Sequence, residues 1–80
     1  MRLPRDVSGR QLAQALQKVG YSITRQTGSH LRLTTHENGE HHVTVPLHDA
    51  LRVGTLAGIV GDVAEHVGVT RDELVSRLFS

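Results

Sequence analysis

One run of eight residues, 25–32, holds most of the side chains in this sequence that could do chemistry. RNA cleavage without a metal ion needs a base that removes the proton from a ribose 2′-hydroxyl and an acid that protonates the leaving 5′-oxygen. Histidine suits either role because its ordinary pKa of about 6.5 lies close to the working pH. The run places His30 between two arginines, so it indicates a candidate phosphodiester-cleaving site.

The other polar residues of this region have roles that fit the same chemistry. Arg25 and Arg32 can bind phosphate oxygens and neutralise the charge of a phosphorane. Gly28 lets backbone N–H groups approach a phosphate without steric cost. Ser29 either hydrogen-bonds a phosphate or caps the turn. Further along, His48 is either a second proton carrier or phosphate ligand, or a loop residue that fixes the backbone.

The residues alone leave plainer interpretations of these histidines open. His30 could be a structural residue at the start of a strand, hydrogen-bonded near a turn. His36, His41 and His42 cluster around a predicted hairpin, but a metal site would need three convergent ligands. Because His41 and His42 are adjacent, they point to opposite sides of a strand. We therefore expect a solvated hairpin tip, and we expect neither a metal ion nor another cofactor.

The periodicity of the apolar residues predicts the element order helix, three strands, helix, helix. Ser8 and Gln11 have the spacing of a capping box that begins the first helix, and Gly20 is placed to end it. Thr70 and Glu73 repeat the capping box before the last helix. The helix between them has one apolar stripe, formed by Leu56, Ile59, Val60, Val63 and Val67.

Three short alternating segments predict β-strands. In segment 21–26, Tyr21 and Ile23 fall on one side and are expected to be the half-buried side of the strand. With helices packed on one face of the resulting antiparallel sheet and polar residues on the other, the fold class is α+β. The other two strands alternate around Leu31 and Leu33 and around Val43 and Val45.

The register of the second hairpin follows from its apolar residues. A three-residue loop with a left-handed Gly39 in a bulge pairs Leu33 with Val43 and Leu31 with Val45, so that these four side chains share one face. A two-residue Asn-Gly loop would place them on opposite faces. The preferred register puts Arg32, Thr34, His42 and Thr44 on the other face, joined by His30 if the strand begins there.

The composition is that of a small domain without disulfide bonds. A length of 80 residues predicts a single domain, 1–80, and the lack of cysteine excludes thiolate metal sites. No apolar stretch resembles a signal peptide or a membrane span, so we expect a cytoplasmic protein without membrane contact. Residues 1–36 carry six Lys/Arg and one acid, whereas residues 37–80 carry three Arg and seven acids. The basic part could attract phosphate.

Several motifs, in one order along the chain, resemble those of the HicA (YcfA-like) toxin family. Residues 25–30 match its R-Q-x-G-S-H signature, and residues 43–48 match its V-T-V-P-x-H segment. The resemblance covers nearly the whole chain, and the ordered set is far more specific than any one of its parts. The remaining similar segments are Leu3-Pro4 followed by Ser8-Gly9, Val19-Gly20-Tyr21 and Gly54-Thr55-Leu56.

This resemblance implies a fold similar to a double-stranded RNA-binding domain and the role of the toxin in a type II toxin–antitoxin system. It implies cleavage of mRNA by a metal-independent endoribonuclease, with His30 of the G-S-H triplet as the catalytic residue. It also implies a HicB-like antitoxin as the protein partner that covers the active site. The candidates for binding RNA or phosphate are Arg25, Gly28, Ser29, Arg32 and His48.

Two other functions are compatible with the same element order. The chain could be a non-catalytic RNA-binding domain, since double-stranded RNA-binding modules read helix shape and 2′-hydroxyls. It could also have only a protein-interaction role, as a domain that binds an antitoxin but not RNA. RNA that is bound by the protein but remains intact would favour the first of these functions, and the lack of any affinity for RNA would favour the second.

Overall fold

The computed structural model of the protein describes residues 3–80. Its strands form one antiparallel sheet in the order β1-β2-β3. The predicted α-β-β-β-α-α order, and with it the α+β fold similar to a double-stranded RNA-binding domain, is confirmed. The elements are α1 (Gly9–Leu16), a 3₁₀ turn (Gln17–Val19), β1 (Ser22–Thr27), β2 (His30–Thr35), β3 (His41–Pro46), α2 (Val53–Val67) and α3 (Arg71–Phe79). Within residues 3–80, no helix combines the length and the apolar character that a membrane crossing requires.

Both predicted helix starts have the expected caps. The Ser8 hydroxyl accepts a hydrogen bond from the Gln11 backbone N–H at 3.0 Å, and the Gln11 side chain accepts one from the Ser8 N–H at 2.9 Å. This reciprocal pair is a capping box, which satisfies two N–H groups that the helix leaves free. At α3, the Thr70 hydroxyl accepts from the Glu73 N–H at 3.1 Å. After α1, the 3₁₀ turn leads to Gly20, which is left-handed as predicted.

The register of the second hairpin is confirmed. Leu33 pairs with Val43 and Leu31 pairs with Val45, and all four side chains are buried. Gly39 is left-handed with a φ of 96°, and the preceding residue, Asn38, is left-handed as well, with a φ of 58°. Asparagine tolerates this conformation better than most residues. The hydrophobic pattern and the turn residues therefore specify the same pairing.

The hydrophobic core lies between the sheet and the helices, and α1 and α2 both contact β3. The prediction that Ile23 shares the buried side of β1 with Tyr21 is wrong, because Ile23 is 42% exposed. β1 is an edge strand, all of its residues are exposed, and the helices contact the sheet mainly at β3. The largest fully buried side chains are Tyr21, Leu12, Leu16, Leu31, Leu33, Leu74, Leu78, Val45, Val60 and Val63.

Two glycines inside α2 have different surroundings. A Cβ added at Gly61 would lie 2.8 Å from an Nη atom of Arg71, so this glycine leaves room for a guanidinium between α2 and α3. A Cβ added at Gly58 would meet no atom within 4 Å. Gly58 therefore lowers helix stability without serving a packing contact within residues 3–80.

We expect Gly58→Ala to raise the free energy of unfolding by about 1 kcal/mol, the difference between alanine and glycine in a helix interior. Gly61→Ala is the matched control. Its free energy of unfolding should rise less, because the Arg71 side chain has to move to make room for the added methyl group. Urea denaturation followed by circular dichroism measures both. Equal gains for the two variants would contradict the assignment of Gly61 to the contact with Arg71.

Candidate active site on the exposed face of the sheet

A β-bulge sets the orientation of the first arginine. The register of β1 against β2 shifts between residues 23 and 25, so that Thr24 is an extra residue and Arg25 pairs with Arg32. In an unbroken ladder, Arg25 would instead lie opposite Leu31, on the side of the core. A bulge of this kind re-aims the side chains that follow it. Both guanidinium groups therefore start from the exposed face of the sheet.

The bulge is held by side-chain hydrogen bonds. The Thr24 hydroxyl lies 3.3 Å from the Arg32 carbonyl oxygen and 3.0 Å from the Thr34 hydroxyl. These contacts give the extra residue the partners that the ladder does not supply. They also fix the backbone immediately before Arg25.

His30 is the first residue of β2 and is exposed on the same face. It lies between Thr27 of β1 and Pro46 of β3. Its Nδ1 is 3.0 Å from the Ser29 hydroxyl, and its Nε2 has no hydrogen-bond partner within residues 3–80. The imidazole is thus oriented through one nitrogen, while the other is free to meet a ligand.

A shallow cavity of about 180 Å³ joins these groups. In the part of the chain that the structure describes, neither Arg25 nor Arg32 forms an ion pair with a carboxylate. Two like charges directly opposite one another on neighbouring strands repel each other. The cavity therefore has a positive wall that an anion would stabilise. Its lining residues are Arg25, Thr27, His30, Arg32 and Thr44.

The other candidates lie around the cavity or away from it. Gly28 and Ser29 form the turn between β1 and β2, and a Cβ at Gly28 would meet no atom within 4 Å. Ser29 contacts His30 through its hydroxyl, and its carbonyl accepts from the Leu47 N–H at 2.7 Å. His48 is exposed but does not line the cavity. Its carbonyl oxygen accepts a hydrogen bond from the backbone N–H at the start of α1 at 2.9 Å.

The expectation of a solvated hairpin tip holds for one histidine and is wrong for another. The side chain of His36 is 78% exposed, whereas that of His41 is only 22% exposed. The Nδ1 of His41 is 2.7 Å from the Tyr21 hydroxyl, and its ring stacks on that of His66 at 4.4 Å between centroids. The reason is tertiary, because the ring of His66 comes from α2. Sequence reasoning also missed Thr27 and Thr44 as lining residues, since threonines in strands carry no signal beyond strand propensity.

The ionisation of the buried Tyr21, which contacts His41, can be measured. Burial, together with the nearby negative charge of Asp62, raises the pKa of Tyr21 to about 12 from an ordinary value of 10.0. A raised pKa means that the folded state favours the neutral phenol. The free energy of unfolding should therefore be insensitive to this group below pH 10 and should fall as the pH rises from 10 towards 12.

Because Tyr21 is the only tyrosine and tryptophan is absent, ultraviolet absorbance reports its ionisation directly. We expect phenolate to form near pH 12 in the folded protein, and Tyr21→Phe to remove the alkaline loss of stability. Phenolate forming in the folded protein near pH 10 would contradict the burial of this hydroxyl.

A three-stranded antiparallel sheet with helices on one face and a polar opposite face defines a small α+β protein of double-stranded RNA-binding-domain type. The family model described as the HicA toxin of bacterial toxin–antitoxin systems matches residues 9–69. The chain belongs to the HicA toxin family, as its sequence motifs predicted. No curated protein and no solved structure gives a significant match.

Proposed function

We propose that the protein is a metal-independent endoribonuclease that cleaves mRNA, acting as the toxin of a type II toxin–antitoxin system. One observation carries this proposal: His30, whose Nε2 has no partner within residues 3–80, lines one cavity with Arg25 and Arg32, which are cross-strand partners and have no carboxylate partners within the same residues. The pair of arginines makes the cavity a site for an anion. The imidazole adds a group that can transfer a proton there.

The arginines account for substrate binding and charge stabilisation. A guanidinium binds two phosphate oxygens at once, and its charge does not depend on pH in the physiological range. Attack by a 2′-hydroxyl adds negative charge to the phosphorus oxygens. Two guanidiniums bound to the phosphate oxygens stabilise that charge as it develops. Their mutual repulsion in the free protein is relieved when the phosphate binds.

The contact between Ser29 and His30 fits a proton-transfer role. A hydroxyl can donate to Nδ1 or accept from it, whereas a carboxylate can only accept. Both neutral tautomers of His30 are therefore compatible with the 3.0 Å contact, and Nε2 can accept or donate a proton. In the proposed reaction, His30 transfers the proton, and Arg25 and Arg32 hold the phosphate. The open space at Gly28 leaves room for the RNA backbone. His48, outside the cavity, remains a candidate contact to the RNA on either side of the cleaved bond.

The test is incubation of the purified protein with single-stranded RNA in the presence of EDTA. We expect fragments with 2′,3′-cyclic phosphate ends, because the 2′-hydroxyl is the nucleophile. DNA of the same sequence is the control and should remain intact. RNA that is bound but uncut would overturn the nuclease and favour a non-catalytic RNA-binding domain. Failure to bind RNA at any salt concentration would favour a purely protein-binding role.

The proposed partners follow from the family. A toxin of a toxin–antitoxin system has an antitoxin partner, and we propose a HicB-like protein that covers the exposed face of the sheet. Covering this face would close the cavity around His30 to RNA. The proposed place of action is the cytoplasm, where mRNA is accessible.

A further inference from the structure

A second imidazole on the exposed face of the sheet has both ring nitrogens occupied. The Nδ1 of His42 is 2.8 Å from the Thr34 hydroxyl, and its Nε2 is 2.9 Å from a carboxylate oxygen of Glu40. Thr34 in turn lies 3.0 Å from the Thr24 hydroxyl at the bulge. The side chain of His42 is nevertheless 37% exposed. With the nitrogens engaged, the part left for a ligand is the face and the carbon edge of the ring.

The directions of the two hydrogen bonds fix the plane of this ring. Thr34 is the cross-strand partner of His42 on β2, whereas Glu40 precedes it by two residues along its own chain segment. Hydrogen bonds to ring nitrogens lie close to the plane of the ring. A ring held at both nitrogens has little freedom to rotate, and the side chain remains 37% exposed. It is also held without help from a ligand.

The position of His42 relates it to the cavity of His30. The pair Thr34–His42 is the next row of the same face after the pair Arg32–Thr44. Rows on one face of a sheet are separated by two residues, or about 6.6 Å along the strand. His42 therefore belongs to the row next to that of Arg32 on the exposed face.

We propose that the exposed face of the His42 imidazole is a stacking platform for a base of the RNA strand whose phosphate binds at Arg25 and Arg32. This inference rests on the proposed function, because it assumes that RNA binds in the cavity. Proteins that bind single-stranded RNA stack unpaired bases on ring side chains, histidine included. The two aromatic residues of the chain do not serve this purpose, since Tyr21 is buried and Phe79 packs against the core from α3.

The surroundings of His42 favour a base over a phosphate as its ligand. The carboxylate of Glu40, 62% exposed and 2.9 Å from the ring, repels a phosphate but not a neutral base. A proton-transfer role for His42 is disfavoured because both nitrogens already have partners. The two neighbouring rows therefore bind different parts of the RNA: the arginines bind a phosphate, and the imidazole of His42 stacks on a base.

The test measures RNA binding by the full chain in a His30→Ala background, in which cleavage is expected to be too slow to interfere. The probe is a short labelled single-stranded RNA of mixed sequence. We expect His42→Leu to weaken binding roughly 10- to 100-fold, the range found for loss of a base-stacking contact. His42→Phe keeps a ring but loses both hydrogen bonds, and it should bind within about threefold of the His42 protein. His36→Leu, at the exposed hairpin loop, is the matched control and should leave binding unchanged.

A second readout separates stacking from a structural effect. A fluorescent adenine analogue placed at successive positions of the probe should be quenched on binding at one position, and His42→Leu should abolish that quenching. Removing the base at the same position should make the His42 protein and His42→Leu bind equally.

The inference is overturned if His42→Leu binds as tightly as the His42 protein, or if His42→Phe loses as much affinity as His42→Leu. The second result would assign the effect to the hydrogen bonds. Failure of the proposed function has a different signature, namely that the chain with His42 intact binds no RNA at all.

Discussion

His30→Ala is expected to lower the rate of RNA cleavage by roughly 10²- to 10⁴-fold, the usual contribution of a positioned proton-transfer group. The fold should be unaffected, with a free energy of unfolding within about 0.5 kcal/mol of that of the unaltered chain. His30 is exposed, and its only side-chain hydrogen bond within residues 3–80 is the one to Ser29. Single-turnover cleavage of labelled RNA and urea denaturation measure the two effects.

The matched control for this prediction is His36→Ala. His36 is also an exposed histidine, but it lies in the loop between β2 and β3, away from the cavity. Its replacement should leave cleavage unchanged. A His30→Ala protein that still cuts RNA at the normal rate would exclude His30 as the proton-transfer residue, whatever the control shows.

Arg25→Gln is expected to weaken RNA cleavage and binding while making the protein more stable. Removing one of two facing positive charges relieves repulsion, so the free energy of unfolding should rise by about 0.2–1 kcal/mol. The same change removes one phosphate contact, so the slope of log affinity against log salt should become shallower by about 0.7. Arg32→Gln should act in the same way, since the two residues are directly paired.

Arg77→Gln is the control for charge alone. Arg77 lies on α3, 3.8 Å from Glu73, outside the cavity. It should leave the salt dependence unchanged and should not stabilise the protein. If Arg25→Gln instead destabilised the protein and left RNA binding intact, the guanidinium would be a structural group and the cavity would not be a phosphate site.

The parts of the fold that depend on local patterns could be predicted from the sequence. The capping box of Ser8 and Gln11 is encoded in two residues three positions apart. The pairing of Leu33 with Val43 follows from a requirement that apolar side chains share one face, and the turn at Gly39 agrees with it. These signals involve neighbours along the chain or a single hairpin, so few alternatives compete with them.

The bulge in β1 could not be predicted, because no glycine or proline marks it. Simple alternation assigns Ile23 and Arg25 to the same side of the strand. In the structure, the extra residue Thr24 shifts Arg25 to the face of Arg32, while Ile23 stays at an uncovered edge. The hydrogen bonds that hold the bulge come from β2, so they depend on the finished sheet.

The histidines show the same limit. The sequence placed His42 on the polar face, and the register confirms this. It gave no sign that His41 would contact Tyr21 and stack on His66, because that arrangement requires α2 to pack beside the hairpin. The sequence shows which side chains are able to take part in chemistry. Which of these side chains contact one another depends on tertiary packing.

The extra residue at position 24 also bears on how the gene can change over evolution. Loss of that single codon would remove the bulge but leave Arg25 opposite Arg32, because Arg25 would then follow Ile23 directly in an unbroken ladder. The gene could thus lose this codon without separating the two arginines that line the cavity. Relatives that differ by one residue between Tyr21 and Arg25 could therefore present the R-Q-x-G-S-H motif on the same face of the sheet.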